Sequence, residues 1–328
     1  MLFGLFNVMQ LTADAETIEA TSVYVNDHSF TSVSLYYKND ADNVTNDSEN
    51  YNAYYDPTTN TLTLNNYAGG AIAIGGGVTG DVKIVLVGEN TITTNDQKAI
   101  SNTNGGGIFI TSESKASLTI NSNASQSAVY GIHTDDKKGN GALDISGKAD
   151  VTINVSTTRD DASVYGAYIA GTINVKDCAK LTVTTASQNI YSGVTVGTGL
   201  YAKQAITFNT TDKVKIDTSG IPSENGNIGI YSEANVNLAN SEELKVIVGA
   251  GSYAVPVYPA SAVDSWTNYK SDSNFNNGIL TTTYTPKVVP AVSGAGVVSW
   301  EDFGDTEYTV VVVNDQDYSI YPLTARLH

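Results

Sequence analysis

The chain has 328 residues, with 34 acidic against 17 basic side chains and a formal net charge of −17 at pH 7. A surface that binds nucleic acid or an anionic membrane needs clustered Lys and Arg, whereas Arg159 and Arg326 are the only arginines of this sequence. We therefore expect neither nucleic acid nor a membrane as a partner.

The first 15 residues have the pattern of the end of a secretion signal. Apolar residues dominate between Leu2 and Leu11, and Ala13-Asp14-Ala15 has the small-x-small form of a cleavage site. Because no Lys or Arg precedes this stretch, we interpret residues 1–15 as a truncated signal peptide, the alternative being a buried N-terminal strand. The sequence thus predicts a secreted protein, in the medium or at the cell surface.

Residues 16–66 are predicted to form an N-terminal β cap or first coil, and residues 67–260 then follow a repeat of 30 to 33 residues. Each coil opens with a Gly followed by an apolar residue. Two runs of alternating apolar and polar residues come next, and alternation of this kind indicates a strand with one buried face. The runs begin eight residues apart, at Leu143 and Val151, Ile173 and Leu181, Ile206 and Val214, and Val236 and Leu244.

Three short strands per coil, each paired with its counterpart in the next coil at about 4.8 Å, define the expected fold. The sequence predicts an all-β chain forming a right-handed parallel β-helix of about six coils, with a partial coil starting at Gly251-Ser252-Tyr253. Residues 261–328 break the period and are predicted to be a C-terminal cap or partial β module with a strand at Tyr308–Val313. Such a segment would cover the open edge of the last coil.

Two groups of residues carry a family resemblance. The first comprises Tyr24-Val25-Asn26, Tyr54-Tyr55-Asp56-Pro57 and the run from Thr61 to Tyr67, and the second is Gly80-Asp81-Val82 followed by Gly88-Glu89-Asn90-Thr91-Ile92. Over residues 22–250 the chain resembles secreted right-handed β-helix proteins of Firmicutes described as containing a carbohydrate-binding domain. The resemblance implies a bacterial surface protein and, through relatives that bind acidic polysaccharide, the use of calcium. Its motifs carry no ligand residue across.

One outward column is predicted to be aromatic. Two residues after each repeated Gly the sequence has His133, Tyr168, Tyr201 and Tyr231, with Tyr253 expected next. Because side chains alternate along a strand, these rings should face solvent and form a ladder with one ring per coil. Sugar rings would lie on the aromatic faces while the hydroxyl groups donate and accept hydrogen bonds. The alternative is that the rings only stabilise neighbouring coils.

Four loop carboxylates are the candidate metal ligands. Asp135 and Asp136 lie in an insertion after one strand, and Asp160 and Asp161 lie in a loop of the following coil. Calcium takes six to eight oxygen ligands, so that these side chains with nearby carbonyl groups would suit it. No spaced calcium-loop motif accompanies them, and solvated turn carboxylates are the alternative interpretation.

The function predicted first is a monomeric, non-catalytic protein that binds polysaccharide, either a host or a cell-wall glycan, in adhesion at the cell surface. The first alternative is a passive spacer that projects another part of a surface protein. The second is a pectin-type polysaccharide lyase or hydrolase, for which Asp160-Asp161 is the candidate carboxylate pair. No Gly-His-Gly or Arg-x-Lys segment accompanies that pair, and Arg159 beside Asp160 indicates a surface ion pair.

Overall fold

The fold is an all-β solenoid, as the repeat predicts. In the computed structural model the described part of the chain forms 25 strands and no helix. Stacked parallel strands build its two sheets, which confirms the expected parallel β-helix. The structure describes residues 20–32, 35–135, 139–177, 179–187, 196–209, 211–221, 227–237, 243–248, 254–258 and 279–283.

Antiparallel strands form the N-terminal end. Strand β1 pairs antiparallel with β2, β3 pairs with β4 and β5, and β5 pairs with β6. The first parallel contact is made when β6 pairs with β9, while β1 adds antiparallel to β8. The strands are β1 (Ala20–Val25), β2 (His28–Thr31), β3 (Tyr36–Lys38), β4 (Asn43–Thr45), β5 (Ala53–Asp56), β6 (Thr61–Asn65), β8 (Ile72–Ile74) and β9 (Val82–Val87).

Seven parallel strands form the first sheet of the solenoid, one from each successive coil. They are β8, β11 (Lys98–Asn102), β13 (Ala128–Thr134), β15 (Ser163–Ile169), β18 (Val196–Ala202), β21 (Asn227–Ser232) and β24 (Ala254–Tyr258). Each pairs in register with its neighbours on both sides, so that equivalent residues of successive coils form straight columns.

The second sheet contains the two alternating runs of each coil. Its remaining strands are β7 (Ala68–Gly69), β10 (Glu89–Thr94), β12 (Ile108–Ala124), β14 (Leu143–Thr157), β16 (Ile173–Lys176), β17 (Lys180–Ser187), β19 (Ile206–Asn209), β20 (Lys213–Gly220), β22 (Val236–Asn237) and β23 (Glu243–Ile247). In β12 and β14 the two predicted runs are one continuous strand. Strands β10, β12, β14, β17, β20 and β23 stack in that order, and the solenoid makes about five turns.

The eight-residue offset in the sequence corresponds to two inward columns of the core. Leu143, Ile173, Ile206 and Val236 pair with one another in sequence, as do Val151, Leu181, Val214 and Leu244. All eight side chains are fully buried. Stacking of identical columns therefore removes a continuous apolar strip from water, which is the main stabilising contribution available to a chain of this kind.

The C-terminal edge differs from the sequence-based expectation. Strand β25 (Ile279–Thr283) pairs antiparallel with β23 and covers the last edge of the second sheet. No alternating run had marked these residues as a strand. The predicted strand at residues 308–313 and the predicted coil start at residues 251–253 lie outside the described residues.

A buried tyrosine anchors the N-terminal cap. The Tyr37 hydroxyl donates to the Asp42 carboxylate at 2.9 Å, and Asn26 Nδ2 donates to the same oxygen at 2.5 Å. Tyr37 is 1% exposed, and burial together with the Asp42 carboxylate raises its pKa to about 12. The folded cap therefore holds the phenol proton more tightly than the unfolded chain does.

The raised pKa of Tyr37 predicts an alkaline loss of stability. Its contribution to the free energy of unfolding is present below the unfolded-state pKa near 10 and is lost as pH rises through about 12. We expect Tyr37→Phe to flatten the fall of stability between about pH 10 and 12 by about 2 kcal/mol in urea titrations. The control is Tyr24→Phe at an exposed position. Equal slopes for Tyr37→Phe and the wild type would contradict this assignment.

Candidate functional site

The four predicted aromatic residues occupy one outward column of the first sheet. His133, Tyr168, Tyr201 and Tyr231 pair in register on strands β13, β15, β18 and β21. Successive ring centroids lie 5.5, 4.4 and 4.9 Å apart, with interplanar angles of 13°, 6° and 17°. The rings therefore stack face to face along the axis of the solenoid.

A second aromatic column, which the sequence analysis missed, lies beside the first. Tyr130 and Tyr165 stack with centroids 5.3 Å apart, and each meets the first column edge to face. The signal was present, because a Tyr stands one residue before the repeated Gly in two coils. We call the six rings of both columns the aromatic site, namely Tyr130, His133, Tyr165, Tyr168, Tyr201 and Tyr231.

The repeated glycine explains why two aromatic columns share one strand. In β15 both Gly166 and Ala167 are buried, so that the alternation is interrupted and Tyr165 and Tyr168 both lie on the outer side. A Cβ on Gly166 would lie 2.2 Å from Cγ1 of Val183 on the opposite sheet. Only glycine allows this close approach, and the bend it permits places the two rings three residues apart on the same face.

Exposure differs from the expectation of a flat strip of ring faces. Both faces of Tyr168 and of Tyr201 are stacked against neighbouring rings, and His133 is only 9% exposed. The five tyrosines of the site are partly exposed. The expectation that sugar rings lie flat on each ring is therefore wrong for the middle of the column, because the strand spacing brings the rings close enough to cover one another. A ligand would meet ring edges and phenol groups there.

One hydrogen bond fixes the polarity of the site near its C-terminal end. The Tyr201 hydroxyl donates to a carboxylate oxygen of Glu233, which lies two residues after Tyr231 and is exposed. Burial, and then this carboxylate, raise the pKa of Tyr201 above its usual range. Burial likewise raises the pKa of Tyr165. The phenols of the site are therefore neutral hydrogen-bonding groups at physiological pH.

The first column continues beyond the aromatic site in both directions. Toward the N-terminus its positions are Ser101, Ala73 and then Tyr24, which is 36% exposed. Toward the C-terminus the residue in register with Tyr231 is Tyr258 rather than the expected Tyr253. The prediction of Tyr253 was wrong because the chain between the two coils is longer than the assumed repeat.

The four predicted calcium ligands are not brought together in the described residues. Asp161 is held by Arg159, whose guanidinium lowers the pKa of that carboxyl group. The ion pair thus involves Asp161 rather than Asp160, contrary to the expectation. Among the described residues, no group of three or more His, Cys, Asp and Glu could hold a metal ion, and Asp136 lies outside them. Calcium binding through Asp135, Asp136, Asp160 and Asp161 stays a prediction.

Comparison with known proteins adds no functional assignment. No protein-family model matches this chain, and no curated protein and no solved structure is significantly similar to it. The fold is that of a parallel β-helix, a class that includes both enzymes and proteins without catalytic activity. Within the described ranges, no helix has the length and apolar character needed to cross a membrane.

Proposed function

We propose that this chain is a non-catalytic, secreted or cell-surface β-helix protein that binds polysaccharide along the aromatic site. The observation that carries the proposal is the site itself, in which six aromatic rings form two adjacent columns on the outer face of one sheet. Rings with polar tips suit carbohydrate, because edges and exposed ring portions contact C–H groups while hydroxyls exchange hydrogen bonds. The family resemblance of the N-terminal segment favours the same function.

The register of the site favours an extended ligand. Its rungs recur once per strand, at about 4.8 Å, along a rigid hydrogen-bonded sheet. From His133 to Tyr231 the column spans three such steps, or about 14 Å. A linear glycan lying along the solenoid axis would meet several rings at once, and the ordering cost on the protein side is small because the rings are already packed together.

A passive spacer is the second candidate, and the mutual stacking of the rings favours it. Each cross-strand aromatic pair contributes about 0.2 to 1 kcal/mol, which accounts for the columns without any ligand. Binding is the function we infer because stacking alone does not require partly exposed phenol groups on an outer face. The two functions differ in one measurable property, namely retention on glycan.

Retention on immobilised glycans tests the proposal. We expect the wild type to be retained on at least one member of a panel of neutral and acidic polysaccharides, assayed with calcium and with a chelator. Combined Tyr168→Ala, Tyr201→Ala and Tyr231→Ala substitutions should abolish that retention, because they remove three consecutive rungs of the site.

The matched control replaces three consecutive outward threonines of the second sheet, Thr119, Thr152 and Thr182, with Ala. This variant should be retained like the wild type. Circular dichroism and urea titration would show that both triple variants keep the solenoid. Failure of the wild type to bind any member of the panel would support the spacer, and unchanged retention of the tyrosine variant would remove the aromatic site from the function.

A further inference from the structure

The hydrogen bond between Tyr201 and Glu233 restricts the chemistry that a ligand can offer at this point. A tyrosine hydroxyl has one hydrogen, and that of Tyr201 is donated to the Glu233 carboxylate. What remains for a ligand is the lone pairs of the Tyr201 oxygen and the carboxylate oxygens of exposed Glu233. Both groups accept hydrogen bonds, and a complementary ligand must donate them.

We propose that the aromatic site takes an uncharged glycan, whose hydroxyl groups donate to Tyr201 and Glu233, and that Glu233 excludes glycans made of uronic acids. This inference rests on the glycan-binding function proposed above and names the substrate class of the same site. Sugar hydroxyls can supply the donors, and a hydrogen bond to an ionised acceptor is about twice as strong as one between neutral groups.

The position of this pair makes it decisive for a ligand that follows the column. Tyr201 stacks on Tyr168 with one face and on Tyr231 with the other, so that its phenol lies between two further rungs. Glu233 follows Tyr231 on the next strand. A glycan lying along the axis across these three rungs passes the acceptor pair, and a carboxylate on that glycan would face the carboxylate of Glu233.

Neighbouring charges on the same sheet do not create a site for anions. Burial lowers the pKa of Lys98, and the opposing influence is the negative charge of Asp135. At the other rim Arg159 is paired with Asp161. Lys203, two residues after Tyr201, also has interactions within the protein. The formal charge of −17 for the whole chain adds a general repulsion of polyanions.

The test uses matched pairs of ligands that differ only in charge. Affinity is measured for fully methyl-esterified homogalacturonan against polygalacturonate, and for cello-oligosaccharides against their carboxylated forms. A chelator is present throughout, so that calcium cannot bridge the acidic chains to the protein. We expect the wild type to bind the uncharged member of a pair at least about fivefold more tightly, since one close repulsion between unit charges in water has that size.

Two variants locate the origin of the preference. Glu233→Gln keeps an oxygen that accepts from Tyr201 but removes the charge, and we expect it to lower the ratio of neutral to acidic affinity about fivefold. Glu89→Gln makes the same change in net charge at an exposed position of the second sheet and should leave the ratio unchanged. The comparison separates a local effect of Glu233 from the net charge of the chain.

The outcomes distinguish this inference from the function on which it rests. A neutral preference that Glu233→Gln reduces and Glu89→Gln retains supports the inference. Equal or tighter binding of the acidic members overturns it while leaving glycan binding intact, and equal effects of the two variants overturn the role given to Glu233. Lack of binding to both members of both pairs counts against the proposed function itself, and the inference fails with it.

Discussion

Replacing Gly166 with Ala should destabilise the solenoid by about 3 kcal/mol, because the added methyl group has no space. The new Cβ would lie 2.2 Å from Cγ1 of Val183 and 2.5 Å from the carbonyl oxygen of Gly199 in the next coil. A rotamer change of Val183 could relieve the first contact. The second is with backbone, so that only a displacement of one coil relative to the next would relieve it.

The midpoint of urea unfolding, followed by circular dichroism, measures this effect. Thr182→Ala is the control, since it alters an outward side chain next to Val183 on β17 and should change stability by less than about 0.5 kcal/mol. The same contact recurs at Gly131 and Gly199, where a Cβ would lie 2.4 Å from Ile153 and 2.3 Å from Ile216. Wild-type stability of Gly166→Ala would show that the two sheets can separate at this column.

The core of the fold could be predicted because the solenoid turns sequence period into spatial register. Leu143 and Ile173 are 30 residues apart in sequence and adjacent in the sheet, so that the alternating pattern alone identifies the inward columns. The same logic located His133, Tyr168, Tyr201 and Tyr231 in one outward column. Local patterns suffice wherever each coil contacts mainly its neighbours.

Three features could not be obtained from the pattern. Tyr130 and Tyr165 face outward because two consecutive residues, a Gly and an apolar residue, face inward, and simple alternation assigns them no common face with Tyr168. The covering strand Ile279–Thr283 adds antiparallel and therefore carries no repeat signal. The bond from Tyr201 to Glu233 depends on side-chain positions across two coils, which sequence spacing does not determine.

Replacing Asn90 with Asp should cost more than about 3 kcal/mol at neutral pH, because Asn90 is buried and its amide is used on both sides. Its oxygen accepts from the Tyr67 amide at 2.9 Å. Its nitrogen donates to the carbonyl oxygens of Val87 at 3.2 Å and Ser117 at 3.0 Å. The side chain thus connects three strands, which is the physical role of the Gly-Glu-Asn-Thr turn in this chain.

The substitution also predicts a pH dependence with a definite sign. The introduced carboxylate would face carbonyl oxygens in a buried position, and both burial and these acceptors raise the pKa of the new carboxyl group in the folded state. The variant should therefore be least destabilised below about pH 4, near the unfolded-state pKa, and lose stability as pH rises through the folded-state value. Urea titrations between about pH 3 and 8 measure this change.

Asn121→Asp provides the matched control for that experiment. Asn121 is partly exposed, and its side-chain oxygen accepts from Asn154 Nδ2 at 3.0 Å, a bond that a carboxylate retains. We expect this control to change stability by less than about 1 kcal/mol over the same pH range, because its new charge stays in contact with water. If both variants responded alike, the turn at Asn90 would be open to solvent and could not connect the cap to the coils through a buried amide.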